Sequence, residues 1–256
     1  MMRIDQLLAH AAQIDSPTAQ LDAELLLALV LDQPRSYLYT WPEKTVSEAQ
    51  AASYMALLKR RQRGEPVAYL LGRQGFWTLD LAVAEHTLIP RADTELLVEA
   101  ALQLADADSA LTVLDLGTGS GAVALAQHNQ QQLALINAQF LASDWFSALT
   151  GQRYNLILSN PPYIAECDPH LQQGDVRFEP LSALVSGPDG LDDIRVIIAQ
   201  APSYLLAGGW LLLEHGFEQG SAVRELLEQA GFVEVTSQRD LAGHQRISLG
   251  RLPPLP

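Results

Sequence analysis

The tetrapeptide Asn160-Pro161-Pro162-Tyr163 is the segment whose residue types point most directly to chemistry. It follows the apolar run 155–159, which reads as a buried strand. The two prolines lack N–H donors and fix φ, and a residue before proline is pushed towards extended geometry. The loop is therefore stiff. It presents two acceptors, the Asn160 side-chain carbonyl and the Pro161 backbone carbonyl, which suit the two donors of a planar NH₂ group.

A planar NH₂ group needs such help before it can act as a nucleophile, because its lone pair is delocalised. Acceptors that hold both N–H bonds align the nitrogen with an incoming electrophile. They also favour the pyramidal, cationic nitrogen that develops during attack. Tyr163 can pack its ring on the flat face of the substrate group. An ordinary proline-rich turn is the alternative, and the position of the loop after a glycine turn argues against it.

A glycine-rich turn precedes this loop in the chain. Residues 115–121 read Asp-Leu-Gly-Thr-Gly-Ser-Gly, between an apolar strand and the helix-like run 122–126. Glycines let the backbone turn tightly and approach a ligand, and the next helix offers free N–H groups. The spacing differs from the GxGxxG of dinucleotide-binding enzymes and resembles motif I of class I S-adenosylmethionine-dependent methyltransferases. A simple tight turn is the alternative reading.

Motif I followed by Asn-Pro-Pro-Tyr resembles the amino-methyltransferases, which methylate exocyclic nitrogens of adenine or cytosine or the side-chain amide of glutamine. Three longer stretches, 60–77, 88–99 and 175–191, resemble the HemK/PrmC family of release factor glutamine methyltransferases. The resemblance covers essentially the whole chain. Related enzymes that act on DNA lack the segment within 60–77. The relative that acts on a ribosomal-protein glutamine usually differs from this chain at positions 92–95.

The resemblance also implies roles for individual residues. For S-adenosylmethionine, whose product is S-adenosylhomocysteine, it implies contacts from Asp115, Gly117, Thr118, Gly119, Ser120, Gly121, Asp144, Trp145 and Asn160, with Trp145 against the adenine. For the substrate amide it implies Asn160, Pro161, Pro162 and Tyr163, with Phe76 and Arg91 bordering the substrate entrance. Asn160, Pro161 and Tyr163 are the expected catalytic residues. No metal is implied, because the sulfonium supplies the driving force.

The resemblance implies that the substrate is the glutamine of the Gly-Gly-Gln motif in class 1 peptide chain release factors. The residues by themselves lead only to methylation of a planar NH₂ group. A ribosomal-protein glutamine or adenine N6 in DNA therefore stays open as the acceptor. A nicotinamide dehydrogenase and a non-catalytic module that binds S-adenosylmethionine are further alternatives. A P-loop nucleotidase and a serine hydrolase have no supporting motif.

The amino-acid composition limits the kinds of molecule that the protein is expected to bind and the compartment in which it is expected to occur. The 256 residues include 16 basic and 30 acidic side chains, a formal net charge of −14, which argues against stable binding of nucleic acid. The single cysteine, Cys167, excludes an intrachain disulfide and favours a reducing cytoplasm. No stretch has the pattern of a membrane span or a signal peptide. We expect a cytoplasmic monomer with no membrane association.

The pattern of apolar residues predicts three regions. Residues 1–73 form a helical domain that helps to recognise the release factor, and residues 74–91 form a β-hairpin linker. Residues 92–256 form an α/β, Rossmann-like methyltransferase domain with a mostly parallel seven-stranded sheet. Ser47 and Gln50 have capping-box spacing at the start of one helix. The basic cluster 59–63 complements the dipole of that helix, or alternatively forms a partner-binding patch.

Two acidic features near the loop are ambiguous. Asp168, Asp175 and Glu179 bind a basic partner or form a solvated acidic loop. The pair Glu214-His215 ends a predicted strand at the ligand edge of the sheet, and no role follows from its sequence.

One departure from the family is large. About two dozen residues are missing between Ala126 and Gln127, judged against the ~30 residues of a βαβ unit. They would hold the second strand and the acid that binds the ribose hydroxyls. Either the chain lacks them, or the protein contains them and the sequence joins their two flanks. The family match on both flanks favours the second interpretation, and an intact mass of 27.9 kDa would exclude it.

Overall fold

The computed structural model describes residues 2–105, 110–117 and 122–254, which fall into two compact units. The helical unit comprises Met1–Gln74, Ala82–Glu85 and His170–Phe178. The α/β unit comprises Gly75–Leu81, His86–Pro169 and Glu179–Pro256. No helix in the described part of the chain is long and apolar enough to cross a membrane.

The helical unit consists of short helices around one apolar core. They are α1 (Ile4–Leu8), α2 (Ala19–Leu31), α3 (Arg35–Thr40), α4 (Glu48–Gln62) and α5 (Val67–Leu71), with a 3₁₀ helix at Ala9–Gln13. The buried face of α2 is centred on Leu26 and Leu27, whereas Leu21 and Leu29, which the apolar spacing also assigns to the core, are exposed. The long apolar run of α2 makes its buried face ambiguous from sequence, and packing against α4 and α5 decides it.

The ends of α4 follow the sequence signals. The Ser47 hydroxyl accepts from the Gln50 N–H at 3.2 Å, and the Ser47 N–H donates to the Gln50 side-chain oxygen at 3.1 Å. The capping box is confirmed. Gly64 adopts φ +92° after the last turn. Its N–H donates to the Arg61 carbonyl and that of Glu65 to the Arg60 carbonyl, which is the Schellman arrangement.

Two arginines of the basic cluster at the end of α4 form ion pairs within the helical unit. Arg61 is buried and bonds Asp22 at 2.8 Å and Asp175 at 3.0 Å. Arg60 pairs with Glu65. Arg61 is therefore not available for a partner-binding patch, and Asp175 is its internal partner, whereas the Arg60 side chain stays exposed.

The predicted hairpin forms from β1 (Arg73–Phe76) and β2 (Leu79–Ala82). The next helix, α6, spans Ala92–Leu104. Arg91 occupies its N-cap position, and Asp93 lies in its first turn. An acid in this turn still complements the helix dipole.

The α/β unit is built on one five-stranded sheet. Its strands are β3 (Val113–Leu116), β4 (Tyr154–Ser159), β5 (Leu205–Glu214), β6 (Val233–Arg239) and β7 (Gln245–Arg251), in the order β3-β4-β5-β7-β6. Three further helices are α7 (Ala122–Gln132), α8 (Asp192–Gln200) and α9 (Gly220–Gln229). Strand residues alternate between two apolar layers: Leu211 and Leu213 pack with α8 and α9, and Leu212 packs with α6. Both faces are covered, as an α/β fold requires.

The α/β fold class is confirmed, but the described sheet has five strands and not the expected seven. β3, β4 and β5 are parallel, while β7 runs antiparallel to both β5 and β6. Residues 133–153, between α7 and β4, contain no helix or strand. This stretch is too short for the two strands and helix that would extend the sheet beyond β3. β3 therefore lies at the edge, and Val113, Leu135, Ile136 and Leu141 are exposed.

Candidate active site

The parallel pairing of β3 and β4 brings the glycine turn next to the Asn-Pro-Pro-Tyr loop. Leu116 pairs with Ser159, whose hydroxyl donates to the Leu116 carbonyl at 2.8 Å. Gly117 follows with φ +104°. A Cβ there would lie 3.6 Å from both the Asn160 backbone oxygen and the Trp145 ring. The start of the turn, the loop and Trp145 thus meet at the carboxyl end of the sheet, where α/β folds bind ligands.

Four of the predicted cofactor residues, Thr118, Gly119, Ser120 and Gly121, lie outside the described residues. Asp115 is the next-to-last residue of β3, and its surroundings raise the pKa of its carboxyl to about 6. Asp144 is exposed.

The backbone after Asn160 is fixed by hydrogen bonds as well as by its prolines. The N–H groups of Tyr163 and Ile164 both donate to the Leu184 carbonyl, at 3.2 and 2.8 Å. The Tyr163 carbonyl accepts from the Gln219 side chain at 3.0 Å. Pro161 is buried and Pro162 is half-buried. The stiffness predicted from two prolines is thus reinforced by contacts from residues far along the chain.

The Asn160 side chain has a defined orientation. Its Nδ2 donates to the Thr94 hydroxyl in the first turn of α6, at 3.0 Å. Because the amide is planar, this contact directs its carbonyl oxygen to the opposite side, where it can accept a hydrogen bond.

Behind this amide lies a buried carboxylate. Glu214, the last residue of β5, has no exposed surface, and its Oε1 accepts from the Tyr163 hydroxyl at 3.3 Å. Burial raises the pKa of the Glu214 carboxyl, and its hydrogen bonds with Thr94 and Tyr163 partly oppose the rise. Burial is also the main cause that raises the pKa of Tyr163. The only sequence signal for Glu214 is a carboxylate at a strand's carboxyl end.

Trp145 is held beside the glycine turn by its own contacts. Its backbone has φ +46°, and its indole N–H donates to Asp193 at 3.2 Å. The Ser143 hydroxyl donates to the Trp145 carbonyl at 2.8 Å, and the Ser147 hydroxyl accepts from the Asp144 N–H at 3.1 Å. These bonds make a small loop that carries an aromatic ring and an exposed carboxylate to the site.

The residues present fit an adenosyl group in part. Gly117 leaves close-approach space in front of the Asn160 backbone, and the Trp145 indole lies beside it. These features suit the methionine end and the adenine of such a group. The acid that usually binds the ribose hydroxyls, at the end of a second strand, has no counterpart among the described residues.

Arg91 is anchored at the start of α6. Its guanidinium hydrogen-bonds the buried carboxylate of Glu179, which also accepts from the Ile89 N–H at 3.3 Å. Glu179 is therefore neither a solvated loop residue nor a surface for a basic partner. The positive charge of Arg91 acts on Tyr163 and partly opposes the rise in the pKa of its phenol that burial causes. Phe76 lies half-buried in β1.

Two family models match the chain. The PrmC N-terminal domain matches residues 4–72, and the methyltransferase small domain matches residues 100–174. A methyltransferase from Pyrococcus furiosus shares the fold, at 13% identity and a TM-score of 0.50 over 71% of this chain and 92% of that chain. The release factor-specific protein-(glutamine-N5) methyltransferase from Alicyclobacillus acidocaldarius is 28% identical, with a TM-score of 0.41 over 65% and 95% of the two chains.

Curated relatives match nearly the full length. A release factor glutamine methyltransferase from Pseudomonas aeruginosa is 55% identical over 98% of this chain and 99% of its own. The Escherichia coli K12 protein of the same name is 46% identical over 92% and 93%. The first alignment has 274 positions against 256 residues in this chain, so the alignment contains at least 18 positions that this chain does not fill, in agreement with a missing segment. Its identity and coverage place this chain in the family of release factor glutamine methyltransferases.

Proposed function

We propose that this protein transfers a methyl group to the side-chain amide nitrogen of the glutamine in the Gly-Gly-Gln motif of class 1 peptide chain release factors. The observation that carries the proposal is the orientation of the Asn160 amide. Its nitrogen is engaged by Thr94, so its oxygen faces the other way as an acceptor. The Pro161 carbonyl supplies a second acceptor in the same stiff loop. Two acceptors match the two N–H bonds of a glutamine amide.

The roles of the loop residues follow from this match. Asn160 and Pro161 hold both N–H bonds, so the nitrogen lone pair is aimed along one direction and its developing positive charge is stabilised. Tyr163, with Pro162 beside it, packs against the flat amide. Phe76 and Arg91 border the substrate entrance. S-adenosylmethionine, when bound, supplies a methyl group on a sulfonium and leaves as S-adenosylhomocysteine.

The cofactor is assigned to the carboxyl end of β3. Asp115, Gly117, Thr118, Gly119, Ser120 and Gly121 are proposed to hold its methionine end, with Asn160 behind them, and Trp145 and Asp144 its adenine. In the described ranges no group of histidine, cysteine, aspartate and glutamate side chains could hold a metal ion, and the proposed chemistry needs no metal. Because the ribose-binding acid is missing from this arrangement, we expect weaker cofactor binding than in a chain with the complete segment.

The division of labour is proposed to follow the predicted boundaries. Residues 1–73 recognise the release factor, and residues 92–256 catalyse the reaction. Residues 74–91 link these two regions. We propose a monomer that binds no nucleic acid stably, since a net charge of −14 opposes contact with phosphates. The single cysteine fits a cytoplasmic, reducing location.

The test is methyl transfer from S-adenosylmethionine to a purified release factor, followed by mass spectrometry of the Gly-Gly-Gln peptide. We expect the mass of the peptide to rise by the amount that corresponds to one methyl group replacing one hydrogen on that glutamine. Asn160→Ala should lower kcat about 100-fold, because it removes one of two acceptors for the reacting nitrogen. Its affinity for S-adenosylhomocysteine, measured by calorimetry, should change far less. Asn137→Ala, the same change at an exposed asparagine, is the matched control.

Each other outcome has a distinct meaning. An unchanged kcat in Asn160→Ala would remove this residue from the reaction. Cofactor binding without glutamine methylation would redirect attention to a ribosomal-protein glutamine or to adenine in DNA. If the protein neither binds the cofactor nor methylates glutamine, the loss of the segment after Ala126 has inactivated the chain.

A further inference from the structure

A chain of hydrogen bonds connects Asn160 to a buried acid. Asn160 Nδ2 donates to the Thr94 hydroxyl at 3.0 Å. That hydroxyl lies near enough to the Glu214 carboxyl to lower the pKa of the carboxyl by hydrogen bonding. The Tyr163 hydroxyl donates to the same carboxyl at 3.3 Å. The first turn of α6 contributes Thr94, the end of β5 contributes Glu214, and the loop after β4 contributes both Asn160 and Tyr163.

Donor and acceptor counting gives this chain a direction. An ionised carboxylate only accepts, so the single proton of Thr94 must point to Glu214. The oxygen of Thr94 then has only lone pairs to offer Asn160, and only the NH₂ end of the amide can donate to them. The Asn160 carbonyl oxygen is thereby forced to the substrate side. Reversing any one bond would require a proton on Glu214.

We infer that Glu214 and Thr94 are positioning residues that fix the orientation of the Asn160 amide and so make the site select an amide NH₂ group over a carboxylate. This inference rests on the proposed function and adds a specificity device to it. With the amide reversed, Asn160 would present donors. Donors repel the NH₂ of glutamine and suit the oxygens of glutamate, the unreactive isostere.

The energetic state of Glu214 supports a functional role. The residue is fully buried, and its Oε2 has no hydrogen-bond partner among the described residues. A buried carboxylate with an unsatisfied oxygen destabilises a fold, and a buried amide or apolar residue would avoid the charge. Such groups persist chiefly where they do something that a neutral residue cannot. Here a neutral residue could not dictate the direction of the Thr94 proton.

The same argument predicts that the orientation of the Asn160 amide depends on pH. The groups that act on Glu214 are Asp93 from α6, which raises the pKa of its carboxyl, Arg246 from β7, which lowers it, and the hydroxyls of Thr94 and Tyr163. The next residue in the chain, His215, is buried and has a lowered pKa. The net direction for Glu214 is upward from 4.5, caused by burial. When pH falls through this raised pKa, a protonated Glu214 can donate to Thr94, and the amide is released to turn.

The decisive comparison is Thr94→Val against Thr94→Ser. Valine keeps the shape and removes the hydroxyl, whereas serine keeps the hydroxyl. We expect Thr94→Val to lower kcat about 10- to 100-fold on a glutamine substrate with S-adenosylhomocysteine affinity unchanged, and Thr94→Ser to stay within about threefold of the native protein. Thr236→Val, on the exposed side of β6, controls for the substitution itself. Native kcat in Thr94→Val, or equal loss in both variants, would overturn the inference.

A second readout does not depend on activity. The chain has only four asparagines, so the side-chain NH₂ signals of ¹⁵N-asparagine-labelled protein can be assigned with Asn160→Ala. We expect slow hydrogen exchange of the Asn160 NH₂, accelerated at least tenfold in Thr94→Val and restored in Thr94→Ser. Its protection relative to a free asparagine amide at the same pH should also fall on acidification of the native protein, and this loss of protection should be absent in Glu214→Gln.

These two readouts separate the inference from the proposed function. A native protein that methylates no glutamine would contradict the proposed function, while the NMR result would still decide the orientation of Asn160. An Asn160 NH₂ signal indifferent to Thr94→Val and to pH would overturn the inference even in an active enzyme.

Discussion

In the proposed reaction Asn160 binds one planar amide with another, so its own orientation matters as much as its position. Thr94 fixes the orientation, and the surrounding backbone fixes the position. Gly190 shows how tight that second constraint is. It has φ +75°, and a Cβ there would lie well inside van der Waals contact with the Tyr163 carbonyl oxygen and 2.8 Å from the Gln219 amide. Only glycine leaves room for the loop at this point.

Gly190→Ala should therefore displace the Tyr163 backbone and lower kcat at least tenfold, because small misplacement of a reacting group has large kinetic cost. Gly231→Ala is the matched control, since Gly231 has φ +87° with open space around it. It should lose only about 1 kcal/mol of stability from backbone strain and keep its kcat. Kinetic measurements and urea unfolding of both variants check this. Equal kcat values in the two variants would contradict the steric explanation.

At the scale of elements, the edge strand β3 is the most unusual feature of the α/β unit. It carries the glycine turn at its carboxyl end, yet only β4 pairs with it in the described sheet. Ile136 and Leu141, in the stretch after α7, are left largely exposed. An open edge strand and exposed apolar side chains indicate a surface that a further strand and helix would cover.

Inserting the corresponding residues of the Pseudomonas aeruginosa relative between Ala126 and Gln127 should restore that cover. We expect a higher Tm and an affinity for S-adenosylhomocysteine increased about tenfold or more. The added segment supplies apolar cover for β3 and an acid for the ribose hydroxyls, and a charged hydrogen bond contributes about 1.5–3 kcal/mol. Thermal unfolding and calorimetry check both effects. An insertion of equal length in glycine and serine is the control, and equal affinities in the two chains would refute the expectation.

At the scale of the whole molecule, the chain does not divide into its two units at one point. The segment His170–Phe178, which follows the Asn160 loop in sequence, belongs to the helical unit. There Asp175 binds Arg61, and the Arg177 side chain donates to the Arg63 carbonyl at 3.1 Å. Removal of residues 1–70 would therefore strip the partners of a segment close in sequence to the active-site loop. Surface substitutions are a cleaner test of release factor recognition.

The stability of the whole chain should depend on His215. This imidazole is buried, with Nε2 2.8 Å from the Ser248 hydroxyl and Nδ1 2.9 Å from the Gly216 carbonyl. Burial lowers its pKa below 6.5 in the folded protein. The unfolded chain therefore takes up a proton first on acidification, and the stability from neutral His215 is lost as pH falls from 6.5 through the folded pKa.

Urea unfolding of the native protein and of His215→Gln at several pH values measures this loss. The free energy of unfolding of the native protein should fall more steeply, with a difference of up to about 1.4 kcal/mol per pH unit below 6.5. Glutamine keeps a donor and an acceptor without titrating, so other groups cancel in the comparison. Parallel curves would show that His215 binds the same number of protons in both states.

The sequence by itself determined the features that depend on local chemistry. The Ser47 capping box, the glycine turn and the Asn-Pro-Pro-Tyr loop are readable because each depends on a few adjacent residue types. The missing segment was readable too, because a βαβ unit has a minimum length. Only the tertiary structure decided which groups act on these features. Glu214 lies 54 positions from Asn160 and Thr94 lies 66, and no local pattern connects either residue with Asn160. They meet Asn160 because parallel strands end at one edge of the sheet and α6 packs beside it, a proximity that arises only when the chain folds.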